Sequence, residues 1–180
     1  MLRRTSKSFT LIAALGVPLC AAATDSLQSH CRTGEHVYLN AMLDYDNIEG
    51  VVRQRTTLGD VLSVCADESR EPIRGLSVRY GKLGSALLEY RATPTRRMEM
   101  HIARTGPGMA VQVLSWSVGS RTYCITEGLG LQNGVSFYSV DGDRMASYGE
   151  TSDYERGSVE IDFYRRLSPV FVKQRPSCNL

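Results

Sequence analysis

Residues Met109–Val118 read MAVQVLSWSV and are followed by Gly119-Ser120 and then by RTYCIT at residues 121–126. Along the first segment, a mainly apolar side that includes Trp116 alternates with a more polar side, which is the two-residue period of a strand with one buried face. Gly119 can adopt the positive φ angle that a tight hairpin turn requires. The stretch therefore predicts an antiparallel hairpin with Trp116 in the core.

The same period recurs on both sides of this hairpin. Asp141-Gly142 is a favoured two-residue turn and predicts a second hairpin, whereas residues 157–167 fit either a strand or a helical face and are assigned here to a strand. Loops are predicted at 67–75, 92–97, 105–108 and 128–134, a spacing too short for βαβ units. The sequence thus predicts a mainly β fold, an antiparallel meander that forms a sandwich or a small barrel. Its further strands are expected at 36–42, 61–65, 76–80, 86–91, 98–103, 135–140 and 144–148.

The N-terminus has the pattern of a secretory signal peptide. Three basic residues within the first seven precede an apolar run at 9–19 and the small residues Ala21, Ala22 and Ala23. The run is much shorter than the ~20 residues of a transmembrane helix. We therefore expect residues 1–23 to be removed and residues 24–180 to form a single β domain in the periplasm or outside the cell, with no transmembrane segment.

Removal of this segment changes the charge. The full chain of 180 residues has 21 basic and 19 acidic side chains, and cleavage leaves 18 basic residues against the same 19 acidic ones. The mature chain is therefore nearly neutral, and an exported chain of this charge is not expected to bind nucleic acid. Only Lys82 and Lys173 remain beside sixteen arginines.

Cleavage also removes Cys20 and leaves an even four cysteines. An even number in an exported chain predicts two disulfides. Sequence alone allows three pairings of Cys31, Cys65, Cys124 and Cys178. We favour Cys31 with Cys65, and Cys124 with Cys178, because the first bond would close an early hairpin region and the second would hold the C-terminus.

The patterns of common hydrolases are absent from the sequence. No G-x-S-x-G or H-E-x-x-H motif occurs, and the three histidines, His30, His36 and His101, are scattered. We therefore expect no enzyme activity, no cofactor and no metal site.

Carboxylates offer the main competing interpretation. Asp44 and Asp46 lie in a D-x-D-N run, but it lacks the later glycine and glutamate of a calcium loop, so an Asx-rich turn is expected. An envelope hydrolase that assembles carboxylates in space, such as Asp44, Asp46 or Glu127, remains the alternative to a non-catalytic protein.

Two sets of side chains are candidates for binding. Arginine pairs well with carboxylates and phosphates because its planar fork can form two parallel hydrogen bonds, and tyrosine combines apolar area with a hydroxyl group. A solvated face and a tyrosine-rich core are the alternatives. The predicted binding residues are Arg91, Arg96, Arg97, Arg104, Tyr138 and Tyr148.

Several short motifs occur in order: LSVC at 62–65, VRYG at 78–81, LLEY at 87–90, the hairpin at 116–126, and GVSF at 134–137 before Asp141-Gly142. This series resembles small exported proteins of Gram-negative bacteria in which a signal peptide precedes a disulfide-stapled β domain, a largely uncharacterised group. The resemblance implies a fold and a compartment and supplies no catalytic residues. The chain departs from the pattern through its long tail, residues 149–180, where Cys178 comes late.

These observations favour a non-catalytic periplasmic binding protein. Its partner would be another envelope or secreted protein, for example a hydrolase that an inhibitor or immunity protein neutralises by inserting a loop. Preorganised loops on a stapled β domain suit this role because they lose little entropy on binding. The expected loops are 92–97 and 128–134, and a structural component of the envelope is a further alternative.

Overall fold

A computed structural model describes residues 27–44, 59–70, 72–130, 133–157, 159, 168–173 and 178. All regular elements within these ranges are strands. The predicted signal peptide lies outside the described residues. The strands are β1 His36–Leu43, β2 Asp60–Ala66, β3 Leu76–Lys82, β4 Ser85–Ala92, β5 Met98–Gly106, β6 Met109–Val118, β7 Arg121–Gly130, β8 Val135–Asp141, β9 Arg144–Thr151, β10 Tyr154–Arg156 and β11 Phe171–Lys173.

The strands form two sheets that pack over one hydrophobic core. Sheet 1 has the order β10-β1-β2-β3-β4, and sheet 2 has the order β11-β5-β6-β7-β8-β9. Every pairing is antiparallel except that of β11 with β5. The chain passes between the sheets after β4, β9 and β10, and the predicted β sandwich is confirmed. In the described part of the chain, no helix has the length and apolarity needed to cross a membrane.

The central hairpin forms as the sequence predicts. Trp116 is 3% exposed, and its ring stacks between those of Tyr90 and Tyr123, with ring-centre distances of 5.1 and 5.4 Å. Full burial of an apolar side chain contributes roughly 1.5–3 kcal/mol, so this stack is a major part of the core energy. Val118 lies at the end of the hairpin and is exposed.

The second hairpin turn lies one residue later than the sequence predicts. Asp141 pairs with Arg144 inside the ladder, so the turn is Gly142-Asp143. Gly142 has a φ of +60° and Gly119 one of +63°, and both therefore occupy the first turn position in the left-handed region. Asp141 thereby becomes a strand residue, and its carboxylate lies 3.9 Å from the Arg121 guanidinium.

The predicted loop at 128–134 is wrong in its first half. Gly128 and Gly130 belong to β7 and pair with Val111 and Met109 of β6. The cross-strand ladder with the ten-residue β6 continues through both glycines despite their low strand propensity. Only the residues after Gly130 are left for a connection, so little of the proposed binding loop remains.

Both disulfides have the favoured pairing. Cys31 bonds to Cys65 with a Cα–Cα distance of 5.5 Å, and Cys124 bonds to Cys178 with a Cα–Cα distance of 6.2 Å. In the chain-entropy model, loops of this size contribute about 4 kcal/mol each. Cys65 and Cys124 lie outside the main core, so each bond fastens a terminal region to the outer face of a different sheet.

Residues 27–35, the N-terminal strap, follow the outer face of sheet 1. The amide of Asn40 donates to the Leu27 carbonyl over 3.0 Å, and the Ser63 hydroxyl accepts from the His30 backbone N–H over 2.9 Å. Asn40 and Ser63 are buried and bond to each other. The strap therefore covers part of the outer face of sheet 1 and bonds to the polar side chains there.

The C-terminal region is described only in part. Of the strand expected at 157–167, Gly157 and Val159 are described and neither lies in a strand, and the other residues lie outside the described ranges. β10 and β11 were not predicted because three residues are too few to show a period.

Candidate functional site

The turn between β4 and β5 carries two of the predicted binding residues. Thr93 and Arg96 exchange both backbone N–H···O hydrogen bonds, at 3.0 and 3.1 Å, around Pro94 and Thr95. The Thr93 hydroxyl also accepts from the Arg96 N–H and bonds to the Thr95 hydroxyl. Proline fixes the backbone at the first turn position. We call residues 93–97 the arginine turn, and hydrogen bonds within the turn hold its backbone.

Tyr90 supports the turn from below. Its hydroxyl faces the carbonyl oxygens of Arg96 and Arg97 over 3.4 Å each. The Arg96 guanidinium carbon lies 4.4 Å from the centre of the Tyr90 ring, a cation–π contact. Burial raises the pKa of Tyr90 and the positive charge of Arg96 partly offsets this, so the hydroxyl stays protonated and available to the turn.

Arg96 and Arg97 present their charges to solvent. Both are exposed, and the Arg97 Nε donates to the Pro94 carbonyl over 3.0 Å. No carboxylate among the described residues lies within ion-pair distance of either guanidinium. The arginine turn thus combines a fixed backbone with two cations that have spare hydrogen-bond donors, which is the chemistry that recognises carboxylates and phosphates.

The other two predicted arginines have different positions. Arg91 lies on the outer side of β4 and pairs with Asp67 at 2.5 Å, with a further hydrogen bond to the Ser77 hydroxyl. Arg104 is exposed near the far end of β5, six residues after the strand begins. At ~3.3 Å per residue it is about 20 Å from the arginine turn. The predicted arginine cluster is therefore three residues at one end of the sandwich and one at the other.

The two predicted tyrosines do not form a joint surface. Tyr148 packs in the main core, with its ring 4.7 Å from that of Phe137, and its hydroxyl bonds to Ser139. Tyr138 packs on the opposite side of the sheet against the cluster of Val113, Cys124 and Cys178. Burial raises the pKa of Tyr138. Both tyrosines therefore pack against hydrophobic clusters, which is the alternative to a binding surface.

Sequence reasoning missed Arg70 and Arg74, which lie in the loop between β2 and β3. Both side chains are exposed, and the ends of this loop adjoin the end of β4 because Ala66, Leu76 and Ala92 lie side by side in the sheet. Two arginines in a loop around Pro72 carry no pattern of their own. Only the pairing of β2, β3 and β4 brings them next to the arginine turn.

The proposed catalytic carboxylates are only partly described. Glu127 is buried, and its Oε1 accepts from the Arg156 Nε over 2.6 Å. Asp44 is exposed and its backbone pairs with Glu150 at the rim of the sandwich. Asp46 lies outside the described residues. Glu127 is thereby occupied by an ion pair rather than exposed to a substrate.

A buried polar cluster surrounds Glu127. Gln112 is its cross-strand partner, and the Gln112 Nε2 donates to the Tyr38 hydroxyl over 2.8 Å. Burial raises the pKa of Tyr38 well above its usual range, so the hydroxyl stays neutral. The Gln112 Oε1 has no hydrogen-bond partner among the described residues. The carboxylate of the cluster is paired with Arg156, and the Tyr38 hydroxyl is bonded to Gln112.

One group of side chains has the spacing of metal ligands. The ligand atoms of Cys31, Glu35 and Cys65 lie within 4.8 Å of one another. The two sulfurs are bonded to each other, and the Glu35 carboxylate is paired with Arg79. The donor set is therefore used within the protein.

Comparisons with protein-family models, curated proteins and solved structures gave no match for this chain. Its functional interpretation therefore depends on the geometry of the two-sheet scaffold and of the arginine turn.

Proposed function

We propose that this protein is an exported, non-catalytic binding protein that acts on another envelope or secreted protein through its arginine turn. The observation that carries the proposal is the pair Arg96 and Arg97, which have no carboxylate partner among the described residues on a turn whose backbone is held by hydrogen bonds. The partner site would be an acidic groove. An envelope-acting hydrolase fits this description because its catalytic cleft contains carboxylates in many cases.

The scaffold supports a binding role. Two disulfides hold the terminal regions against the outer faces of the two sheets, and an aromatic stack lies under the turn. A site that is rigid before association loses little conformational entropy on binding, and this raises the affinity that a small contact can reach. Disulfides are also typical of the periplasm and of secreted proteins, where the proposed partner would be found.

The test is capture of the partner from an envelope extract of the source organism. The oxidised domain, residues 24–180, is coupled to a matrix, and the retained proteins are quantified beside an Arg96→Gln/Arg97→Gln variant. We expect one partner in stoichiometric amount, reduced at least about tenfold by the double variant, because two charge-assisted contacts are lost. The purified partner should lose its enzyme activity when the wild-type domain is added.

Arg104→Gln is the matched control because it removes another exposed arginine, at the other end of β5. Equal capture by the wild-type domain and by the turn variant would contradict the proposal. It would also be contradicted if no partner is retained and the domain itself hydrolyses a glycan or an ester, with loss of turnover in Asp44→Asn or Glu127→Gln.

A further inference from the structure

The sandwich has one basic end and one acidic end. The order of the strands places the loop at 67–75, the arginine turn and the hairpin ends at 119–120 and 142–143 at the same end. The opposite end contains the turns between β3 and β4 and between β5 and β6, which include Pro107-Gly108. The charged side chains at each end of the sandwich can therefore be counted together, although they are far apart in the sequence.

The loop at 67–75 and the arginine turn concentrate positive charge. Together with the adjoining end of β4 they contain five arginines against three carboxylates, Asp67, Glu68 and Glu71, of which Glu71 lies outside the described residues. Asp67 pairs with an arginine of β4, and Glu68 accepts a backbone N–H. The hairpin ends beside them are balanced, with two arginines and two aspartates. Five arginines form what we call the basic pole: Arg70, Arg74, Arg91, Arg96 and Arg97.

The opposite end is acidic. Its described carboxylates are more numerous than its cations, and the three most exposed are Asp44, Glu150 and Asp153. The carboxylates at this end are Asp44, Asp60, Glu127, Glu150, Asp153 and Glu155, and the cations are Lys82, Arg104 and Arg156. Among the described residues, the two ends thus carry an excess of opposite charge although the mature chain is nearly neutral.

The two loops of the basic pole share one rigid base. The Ser168 hydroxyl donates to the Ile73 carbonyl over 2.6 Å, and the Val170 carbonyl accepts from the Met98 N–H over 2.9 Å. Ile73 is in the loop at 67–75, and Met98 follows the arginine turn. Residues 168–170 therefore connect the loop to the start of β5, and Ile73 is buried against the core.

We infer that the basic pole as a whole, and not the arginine turn alone, is the docking surface, and that its partner is a folded protein that presents a group of carboxylates. This inference rests on the proposed function and extends its site to Arg70, Arg74 and Arg91. The dipole would also orient the domain as it approaches, since charge complementarity raises the association rate and makes it dependent on salt.

The chemistry of the pole favours a protein over a lipid surface. Among the described residues, no exposed large hydrophobic side chain lies in these two loops, so their described parts offer nothing to insert among acyl chains. The Arg96 guanidinium lies over the Tyr90 ring, and the Arg97 guanidinium is bonded to the Pro94 carbonyl. Cations in such fixed positions suit carboxylates that are also held in fixed positions, as they are on a folded protein. Val118 and Met145 are exposed at the neighbouring hairpin ends and could add apolar contacts, which are common in protein interfaces.

The experiment measures binding of fluorescent poly-L-glutamate to the oxidised domain by anisotropy, at about 20 mM and about 200 mM salt. Four proteins are compared: the wild type, Arg70→Gln/Arg74→Gln, Arg96→Gln/Arg97→Gln, and the control Lys82→Gln/Arg104→Gln at the opposite end. We expect salt to weaken wild-type binding at least about tenfold and each basic-pole variant to weaken it by a similar factor. The control should stay within about twofold of the wild type.

The outcomes separate this inference from the proposed function. Loss of binding in Arg96→Gln/Arg97→Gln but not in Arg70→Gln/Arg74→Gln would overturn the inference and leave the turn as the site. Loss in the control to the same extent would overturn it as well. In a parallel sedimentation assay, binding to phosphatidylglycerol vesicles that poly-L-glutamate does not compete away would replace the protein partner by a membrane. Partner capture by the turn tests the proposed function separately.

Discussion

Arg79 and Arg96 show two opposite uses of the same side chain. Arg79, in β3, is 3% exposed, and its guanidinium donates to both oxygens of Glu35, to Glu89 and to the His30 carbonyl. Arg96 is exposed, lies on an aromatic ring and has no carboxylate partner among the described residues. The first guanidinium has its donors used within the chain, whereas the second has donors left for another molecule.

The two arginines differ in what depends on their charge. The Arg79 network lies beneath the N-terminal strap, where Arg32 also pairs with Glu89. Removal of Arg79 leaves the largely buried Glu35 carboxylate without its charged partner. Removal of Arg96 leaves no carboxylate unpaired among the described residues. Stability should therefore depend on the first arginine, and association on the second.

Arg79→Met should have the largest effect on stability. It removes both Arg79 donors from the Glu35 carboxylate, which is 11% exposed, and leaves that carboxylate only the Arg32 backbone N–H. Loss of one partner of a buried pair costs about 3–5 kcal/mol, and we expect this decrease in the free energy of unfolding. Urea denaturation of the oxidised domain measures it.

Arg91→Met is the control for that measurement. The pair of Arg91 with Asp67 is half exposed on the arginine side, and exposed pairs contribute about 0–1 kcal/mol. Equal losses in the two variants would show that Arg79 is no more structural than a surface arginine and would remove the basis of the comparison.

The same network should give the protein a pH dependence through Glu35. Burial alone would raise the pKa of this carboxyl. Hydrogen bonds from the Arg79 side chain and the Arg32 backbone N–H, together with the positive charges of both arginine side chains, lower the pKa below its ordinary value of 4.5. Between the folded-state pKa of Glu35 and about pH 4.5, the unfolded chain therefore binds more protons than the folded chain. The contribution of Glu35 is therefore complete above about pH 4.5 and is lost as the pH falls through the folded-state value.

The measurement is the free energy of unfolding as a function of pH for the wild type and Glu35→Gln. The wild-type curve should fall more steeply below pH 4.5, because the glutamine variant has no proton to take up. Parallel curves would mean that the Glu35 carboxyl has the same pKa in both states, which would contradict the role assigned to the network.

Much of the fold could be predicted because it depends on local alternation. The sequence predicts nine of the eleven strands that lie in the described ranges, and the pattern of β6 alone places Trp116 in the core. The exceptions have physical causes. Gly128 and Gly130 have low strand propensity but are held in β7 by pairing with β6, and β10 and β11 are too short to show a period.

The candidate site was less accessible to sequence reasoning because it depends on strand order. Arg96 and Arg104 are near in sequence, but an extended strand separates them. Arg70 and Arg96 are far apart in sequence, but the pairing of β2, β3 and β4 brings their loops together. Whether an arginine is used within the chain, as Arg79 is, depends on carboxylates from the strap and β4 that no local pattern identifies.

Arg96→Gln should have as small an effect on stability as Arg91→Met, and association, not stability, should respond to it. It removes one exposed cation–π contact, worth about 0.5–1 kcal/mol, while the backbone bonds between Thr93 and Arg96 remain. Arg96→Lys is the matched variant, since it retains the charge and loses the planar fork. If the fork is what the partner recognises, the lysine variant should be about as stable as the wild type and should capture less partner. A loss of more than about 2 kcal/mol in either variant would mean that Arg96 holds the turn together, and reduced capture would then report misfolding instead of a lost contact.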